Sequence, residues 1–139
     1  MTIIVDTHGL ELRLDDLSGN QLRKAQRAAV TKGVRLGRKE AKQHAPRGTR
    51  SPGGTPPHAA GNLRRRGFAI NVRTRAGIVM GTVRFSDAGY YGMFVERGQG
   101  RGYRRPVKMM SAAAPIIARA MPRLLDAEVA AAIRRARLA

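Results

Sequence analysis

The sequence predicts a single α+β domain, in which a small antiparallel sheet with a central hairpin packs against two helices. Two long amphipathic stretches, at about 18–44 and 111–137, and two alternating apolar stretches between them, joined at Ala76-Gly77, lead to this prediction. The chain has 139 residues, a length that accommodates one core, so residues 1–139 are predicted to form one domain.

The N-terminal region predicts two short strands followed by the first helix. Residues 2–5 and 10–14 carry β-favouring side chains on either side of a turn at His8-Gly9, and the second stretch alternates apolar with charged residues. Ser18 and Gln21 fit a capping box at a helix start, and Pro46 predicts where that helix ends.

The predicted first helix has a buried face of mostly small side chains and a strongly basic remainder. Gly33 and Gly37 would each cost about 1 kcal/mol in an exposed helix, which favours the close approach of another backbone there. The basic remainder is a predicted surface for DNA or another polyanion, formed by Arg23, Arg27, Arg35, Arg38 and Lys42.

Two segments without periodicity are predicted to be loops. Residues 46–62 contain four prolines and four glycines, a composition typical of a flexible loop that orders on binding. Residues 99–108 form a second, basic and glycine-containing loop.

The central hairpin consists of a strand from Phe68, a turn at Ala76-Gly77 and a partner strand at 78–85. Gly81 in the second strand marks either a bulge or a place where another group packs closely. Residues 90–98 predict one or two helical turns. In the C-terminal helix, Pro115 is expected in the first turn, and Pro122 is expected to kink or divide the helix.

Charge is the most extreme property of the composition. Lys and Arg number 27 against 9 Asp and Glu, giving a net charge of +18 and a sequence pI of about 11.8. This predicts attraction to polyanions, and it suits either a nucleic-acid-binding protein or a subunit that assembles beside packaged DNA or acidic partners. The absence of Cys excludes disulfides and thiolate metal sites, and no apolar run has the length of a membrane span, so we expect a soluble, intracellular protein.

The sequence offers no recognisable catalytic constellation. His8, His44 and His58 are scattered without metal-ligand spacing, so we expect no enzyme activity, catalytic residue, metal or cofactor. Glu96 is a lone carboxylate in the apolar block 90–98, and it is either exposed or an ion-pair partner for an arginine, within or between chains. In that block Tyr90, Tyr91 and Phe94 are interpreted as core or interface anchors.

Three blocks together resemble the neck proteins of long-tailed double-stranded DNA phages, the head-tail joining and tail-completion proteins. The first block is the basic helix ending in Ala45-Pro46, followed by Gly61-Asn62-Leu63-Arg64; the second is the stretch 90–98, Tyr-Tyr-Gly-Met-Phe-Val-Glu-Arg-Gly; the third is Arg105-Pro106 leading into the last helix. The blocks occur in the family's order over residues 18–137. The long insert after Pro46, Gln99, and Val107-Lys108 depart from the family pattern.

The resemblance implies a structural virion protein that forms a ring, hexameric or dodecameric, around the DNA channel between head and tail. Its partners would be further copies, adjacent head-closure or connector and tail-tube proteins, and genomic DNA bound without sequence specificity. It would reside in the virion neck, and in the host cytoplasm during assembly. Residues expected at subunit or partner contacts are Arg64, Arg65, Tyr91, Glu96, Arg101, Arg104 and Arg105. The competing interpretation is a basic nucleic-acid-binding protein of the ribosome- or chromatin-associated type.

Overall fold

The structure, a computed structural model, describes residues 3–5, 19–46, 61–99 and 105–138. Within these ranges, side chains are described from residue 19 to residue 136. Its elements are three strands, four helices and a 3-10 turn at Asp87–Gly89. In chain order they are β1 (Ile3–Val5), α1 (Gly19–His44), α2 (Asn62–Arg66), β2 (Phe68–Arg75), β3 (Ile78–Phe85), α3 (Gly92–Arg97) and α4 (Met110–Leu138).

The predicted α+β architecture is confirmed. The three strands form an antiparallel sheet in the order β1-β3-β2, so the central strand pairs with the first strand of the chain and with its own hairpin partner. Ala76 and Gly77 form the two-residue turn and both have positive φ, 50° and 80°. Such left-handed turn residues match the twist of the two strands that they join.

The first helix lies against the inner face of the sheet, where β2 and β3 carry Ile70, Val72, Val79 and Val83. Gly81 allows this contact, because a Cβ there would lie 2.5 Å from Cγ1 of Val34 and 2.6 Å from Cγ1 of Val30. The pairing of β2 with β3 continues through Gly81 without an extra residue, so of the two predicted roles for Gly81 the structure shows close packing and not a bulge.

The last helix packs along the first one. A Cβ added to Gly33 would meet the sulfur of Met121, and one added to Gly37 would lie 2.9 Å from Cγ1 of Ile117. The two glycines therefore make room for side chains of α4. We predicted the close approach at these glycines correctly but expected another backbone there. The spacing of the glycines alone does not show which atoms fill the space beside them.

Pro122 does not divide the C-terminal helix, which runs unbroken from Met110 to Leu138. Of the two predicted effects, a kink or a division, division does not occur, because Pro122 lies on the exposed face, where water can satisfy the carbonyl oxygen of Ala118 that loses its intrahelical donor. Pro115 is the sixth residue of the helix, just past the first turn expected for it.

Other predicted boundaries agree closely with the structure. The first helix was predicted over 18–44 and spans 19–44, ending before Pro46 as expected; the block 90–98 contains one short helix, α3. Arg64 to Arg66 belong to α2, a short helix that was not predicted from the sequence. The proposed strand 10–14, Ser18 of the capping box, and most of the two loops (47–60 and 100–104) lie outside the described residues.

Candidate functional site

The three sequence blocks that carry the resemblance come together at one corner of the domain. A single core cluster contains Ala45 and Leu63 from the first block, Val95 from the second, and Met109 and Met110 at the start of the last helix. Tyr91 and Val107 are half-buried and pack against the same cluster. Segments that are far apart in the chain thus build one local structure, centred on α3.

Glu96 fastens α3 to the start of α4. Its Oε2 accepts hydrogen bonds from the backbone N–H groups of Met109 and Met110 at 2.7 and 3.0 Å, and its Oε1 accepts from the backbone N–H and the hydroxyl of Ser111 at 3.0 and 2.6 Å. The first N–H groups of a helix have no partner within the helix, and the helix dipole favours a negative charge at that end. Glu96 satisfies three of them from a distant part of the chain.

Burial and hydrogen bonding act on the Glu96 carboxyl in opposite directions. Burial by itself would raise the pKa of Glu96, because it disfavours the charged form. The hydrogen bonds from the Ser111 hydroxyl and from the backbone of Ser111, Met110 and Met109 outweigh it, so the pKa lies below its usual value. The carboxyl is therefore ionised at neutral pH although the residue is buried, at 9% exposure.

Within the described residues Glu96 forms no ion pair with an arginine, and its pairing with an arginine of another chain stays a prediction. Both of its oxygens receive hydrogen bonds from the start of α4, and each oxygen receives two. The alternative of simple exposure is also wrong. The first turn of α4 carries no acidic residue of its own, so the negative charge at this helix end comes from Glu96.

The turn after α3 completes the corner. Gly98 has a φ of 72°, and a Cβ there would lie 2.8 Å from the backbone nitrogen of Pro106, so a glycine suits both the conformation and the contact. The N–H of Gln99 donates to the carbonyl of Phe94 at 2.8 Å, and that of Val107 donates to the carbonyl of Val95 at 3.1 Å. Gln99 and Val107, on either side of residues 100–104, are thereby both bound to α3.

The remaining predicted contact residues occupy different positions around this corner. Arg64 is half-buried and Arg65 is exposed on α2, and the carbonyl of Arg65 accepts a hydrogen bond from Nζ of Lys42 at 3.1 Å. Arg105 is exposed at the entry to α4, whereas Arg101 and Arg104 lie outside the described residues. The structure thus brings Arg64, Arg65 and Lys42 to neighbouring elements.

The predicted polyanion surface follows the solvent side of α1. Arg23, Arg27 and Arg35 are exposed, while Arg38 and Lys42 are half-buried. Nη2 of Arg27 also donates to the carbonyl of Val72 at 3.4 Å, which ties the helix to the outer edge of β2. Residues three or four apart share a helix face, so Arg27, Arg35, Arg38 and Lys42 lie in one stripe, which also includes Lys24 and Thr31, while Arg23 lies beside its start.

Negative charge is scarce beside this basic surface. Among the side chains that the structure describes, one ion pair is found, between Lys32 of α1 and Glu128 of α4. No group of three His, Asp or Glu side chains in the described ranges has an arrangement that could hold a metal ion.

Two of the three aromatic residues interpreted as core or interface anchors are exposed. Tyr90 is 52% exposed and Phe94 is 45% exposed, whereas their neighbour Tyr91 is half-buried against the core. Apolar character alone did not distinguish them, because the block 90–98 is too short to establish which helix face points inward. In the structure the face of α3 that carries Glu96 points inward, and Tyr90 and Phe94 lie on the other side.

Comparison with known proteins adds no relative: no family model, no curated protein and no solved structure matches this chain. A membrane-spanning helix is also not found in the described part of the chain, where none of the helices combines the necessary length and apolar character.

Proposed function

We propose that this protein is a structural subunit of a phage neck, one copy in a ring that joins a DNA-filled head to a tail around the DNA channel. The observation that carries the proposal is the corner centred on Glu96. The residues of the resemblance form one tightly joined unit, in which Glu96 and Gly98 each have a specific structural task. A chance likeness in scattered segments would have no reason to converge in this way.

The charge distribution supports a role in assembly. The chain carries 18 more basic than acidic residues, and the described exposed cations are spread over α1, α2, the sheet and α4. Such a surface suits contacts with acidic protein partners, with DNA in the channel, or with both. The proposed partners are therefore further copies of the chain, head-closure or connector proteins, tail-tube proteins and the genome.

A second candidate function is non-specific nucleic-acid binding, and the stripe on α1 favours it. Lys24 and Lys42 are 18 residues apart, which corresponds to about 27 Å along the helix. Duplex DNA carries one negative charge per about 1.7 Å of its axis, so a stripe of this length spans many phosphates. Non-specific binding of this kind requires neither a ring of subunits nor a phage particle.

The proposal is tested in particles produced by the genome that encodes this chain. We expect an epitope-tagged copy to be labelled at the head-tail junction in electron micrographs, and we expect loss of the chain to leave DNA-filled heads and separate tails. Normal tailed particles assembled without the chain would overturn the proposal.

The second candidate is tested with purified protein and a duplex of about 30 base pairs, long enough to exceed the stripe. Tight binding by the monomer at physiological salt, with a steep fall as salt rises, together with normal particles in the absence of the chain, would favour it over the neck proposal. The double variant Arg35→Glu/Arg38→Glu serves as the control, because it reverses charge in the middle of the stripe.

A further inference from the structure

The outer face of α3 presents an aromatic pair and an arginine to solvent. Tyr90 and Tyr91 already have right-handed helical backbone angles, so Tyr90 precedes Phe94 by one helical turn and shares its side of the helix. Arg97 is exposed on the same side, seven residues from Tyr90, while Gly92, Val95 and Glu96 are buried on the other. We call Tyr90, Phe94 and Arg97 the aromatic stripe.

The aromatic stripe stands on a rigid base. Glu96, one turn from Gly92 and two residues from Phe94, is bound to three backbone N–H groups of α4, and the carbonyls of Phe94 and Val95 are held by Gln99 and Val107. The ring of Tyr90 lies at 5.9 Å, edge to face, from that of the half-buried Tyr91. The backbone beneath the aromatic stripe is thus fixed by hydrogen bonds, so binding there orders less of the chain than binding to a free loop would.

The surroundings of the aromatic stripe are positively charged. The 3-10 turn before it contacts α2, since Nδ2 of Asn62 donates to the carbonyl of Ala88 at 3.2 Å and the hydroxyl of Ser86 donates to the carbonyl of Arg66. This places Arg64, Arg65 and Arg66 of α2 on the neighbouring element. Asp87, exposed in the same 3-10 turn, is the opposing charge, and the balance of these residues and Arg97 is positive.

We propose that the aromatic stripe is the docking site for an acidic partner protein, one that offers an apolar pocket for Phe94 and Tyr90 with carboxylates around it for Arg97 and the arginines of α2. Charge complementarity favours this occupant over a second copy, because the chain has 27 basic against 9 acidic residues and the described exposed charges of a second copy are mostly basic. The inference rests on the proposed neck function and deepens it, by giving the chemistry of the neighbouring protein.

The test is site-specific photo-crosslinking in intact particles. A benzophenone amino acid is incorporated in place of Phe94, and in a second preparation in place of Arg119, which is exposed on α4 and serves as the control. We expect irradiation of the Phe94 variant to join the chain to one different polypeptide, at a peptide rich in Asp and Glu. We expect no such product from the Arg119 variant.

A substitution completes the test. Phe94→Ser should lower the yield of joined particles by about tenfold or more, while the melting temperature of the purified chain changes little, because Phe94 is 45% exposed and belongs to no core cluster of the described residues. Crosslinks from position 94 to another copy, to the same chain or to a non-acidic peptide would overturn the docking proposal and leave the neck proposal standing. Absence of the chain from the particles would overturn both.

Discussion

Oε1 of Glu96 accepts hydrogen bonds from both the backbone N–H and the hydroxyl of Ser111, at 3.0 and 2.6 Å. With the two bonds to Oε2, this makes the residue a helix cap supplied from 15 positions earlier in the chain. Glu96, which the sequence predicted at a subunit contact, therefore also stabilises the fold.

Glu96→Gln should lower the free energy of unfolding by about 1–3 kcal/mol at neutral pH, since it replaces one oxygen by an amide NH2 that faces N–H donors and removes the charge at the helix end. Chemical denaturation of the purified chain measures this effect. Glu128→Gln is the matched control, because it makes the same change at a glutamate that pairs with Lys32. A loss equal to that of the control would show that the hydrogen bonds to Glu96 contribute little.

The contribution of Glu96 should depend on pH in a defined direction. Its pKa is lower in the folded chain than in the unfolded one, where a glutamate titrates at about 4.3. The unfolded state therefore binds more protons in the acid range, so the stabilisation is fully present above about pH 4.3 and is lost as pH falls through the folded value. The stability difference between wild type and Glu96→Gln should shrink below about pH 4.3; a constant difference down to pH 2 would contradict this.

The ion pair between Lys32 and Glu128 should contribute little. Glu128 is only 12% exposed, but Lys32 is 58% exposed, so water and salt reach the pair from the lysine side, and Glu128→Gln should cost no more than about 1 kcal/mol. Raising the salt concentration to about 1 M should reduce even this cost. A loss above about 2 kcal/mol in chemical denaturation would mean that the pair fixes the position of α4 on α1.

The two glycines of α1 should respond differently to alanine. At Gly33 the new Cβ meets the flexible thioether of Met121, whereas at Gly37 it meets the branched Ile117 and lies 3.4 Å from Cγ2 of Val83. Alanine also gains about 1 kcal/mol of helix propensity at both positions. Gly33→Ala should thus be nearly neutral, and Gly37→Ala should destabilise by about 1–3 kcal/mol through overpacking. Thermal unfolding of the two variants measures this. A greater loss of stability in Gly33→Ala than in Gly37→Ala would contradict the prediction.

The hairpin turn contains a position where glycine should stabilise the protein. Ala76 has a φ of 50°, a left-handed conformation that costs an L-residue with a Cβ about 1–2 kcal/mol. Ala76→Gly should raise the free energy of unfolding by about 0.5–1 kcal/mol after the loss of chain entropy is subtracted. The control, Ala127→Gly on the exposed face of α4, should lower it by about 1 kcal/mol. If both substitutions raised, or both lowered, the free energy of unfolding, the left-handed conformation of Ala76 would not be the explanation.

Periodicity predicted the elements whose patterns are long enough to distinguish a helix from a strand. The alternation from Phe68, the turn at Ala76-Gly77 and the amphipathic runs in α1 and α4 each agree with the structure. The helix α2 was missed because Asn62–Arg66 is too short to show a period and consists mostly of arginine.

The candidate site was predictable in its members but not in their partners. Glu96 stood out because a carboxylate is unusual in an apolar block, yet the groups that bind it are backbone N–H groups, which a sequence of side chains does not display. Tyr90 and Phe94 were recognised as anchors, and only the packing of α3 established that they face outward. Charge composition predicted the basic surface directly, because charged side chains lie on the outside whatever the fold.

The strand order has a consequence for how the chain folds as it leaves the ribosome. Ile3 pairs with Val83, and α1 finds its main packing partner in α4, the last element of the chain. β1 therefore stays unpaired until β3 has been synthesised, and the side of α1 that faces α4 stays uncovered until nearly the whole polypeptide has been made. During that interval the nascent chain carries an uncovered apolar helix face that is rich in lysine and arginine on its other side, so we expect its early life to depend on chaperones or on transient contact with ribosomal RNA.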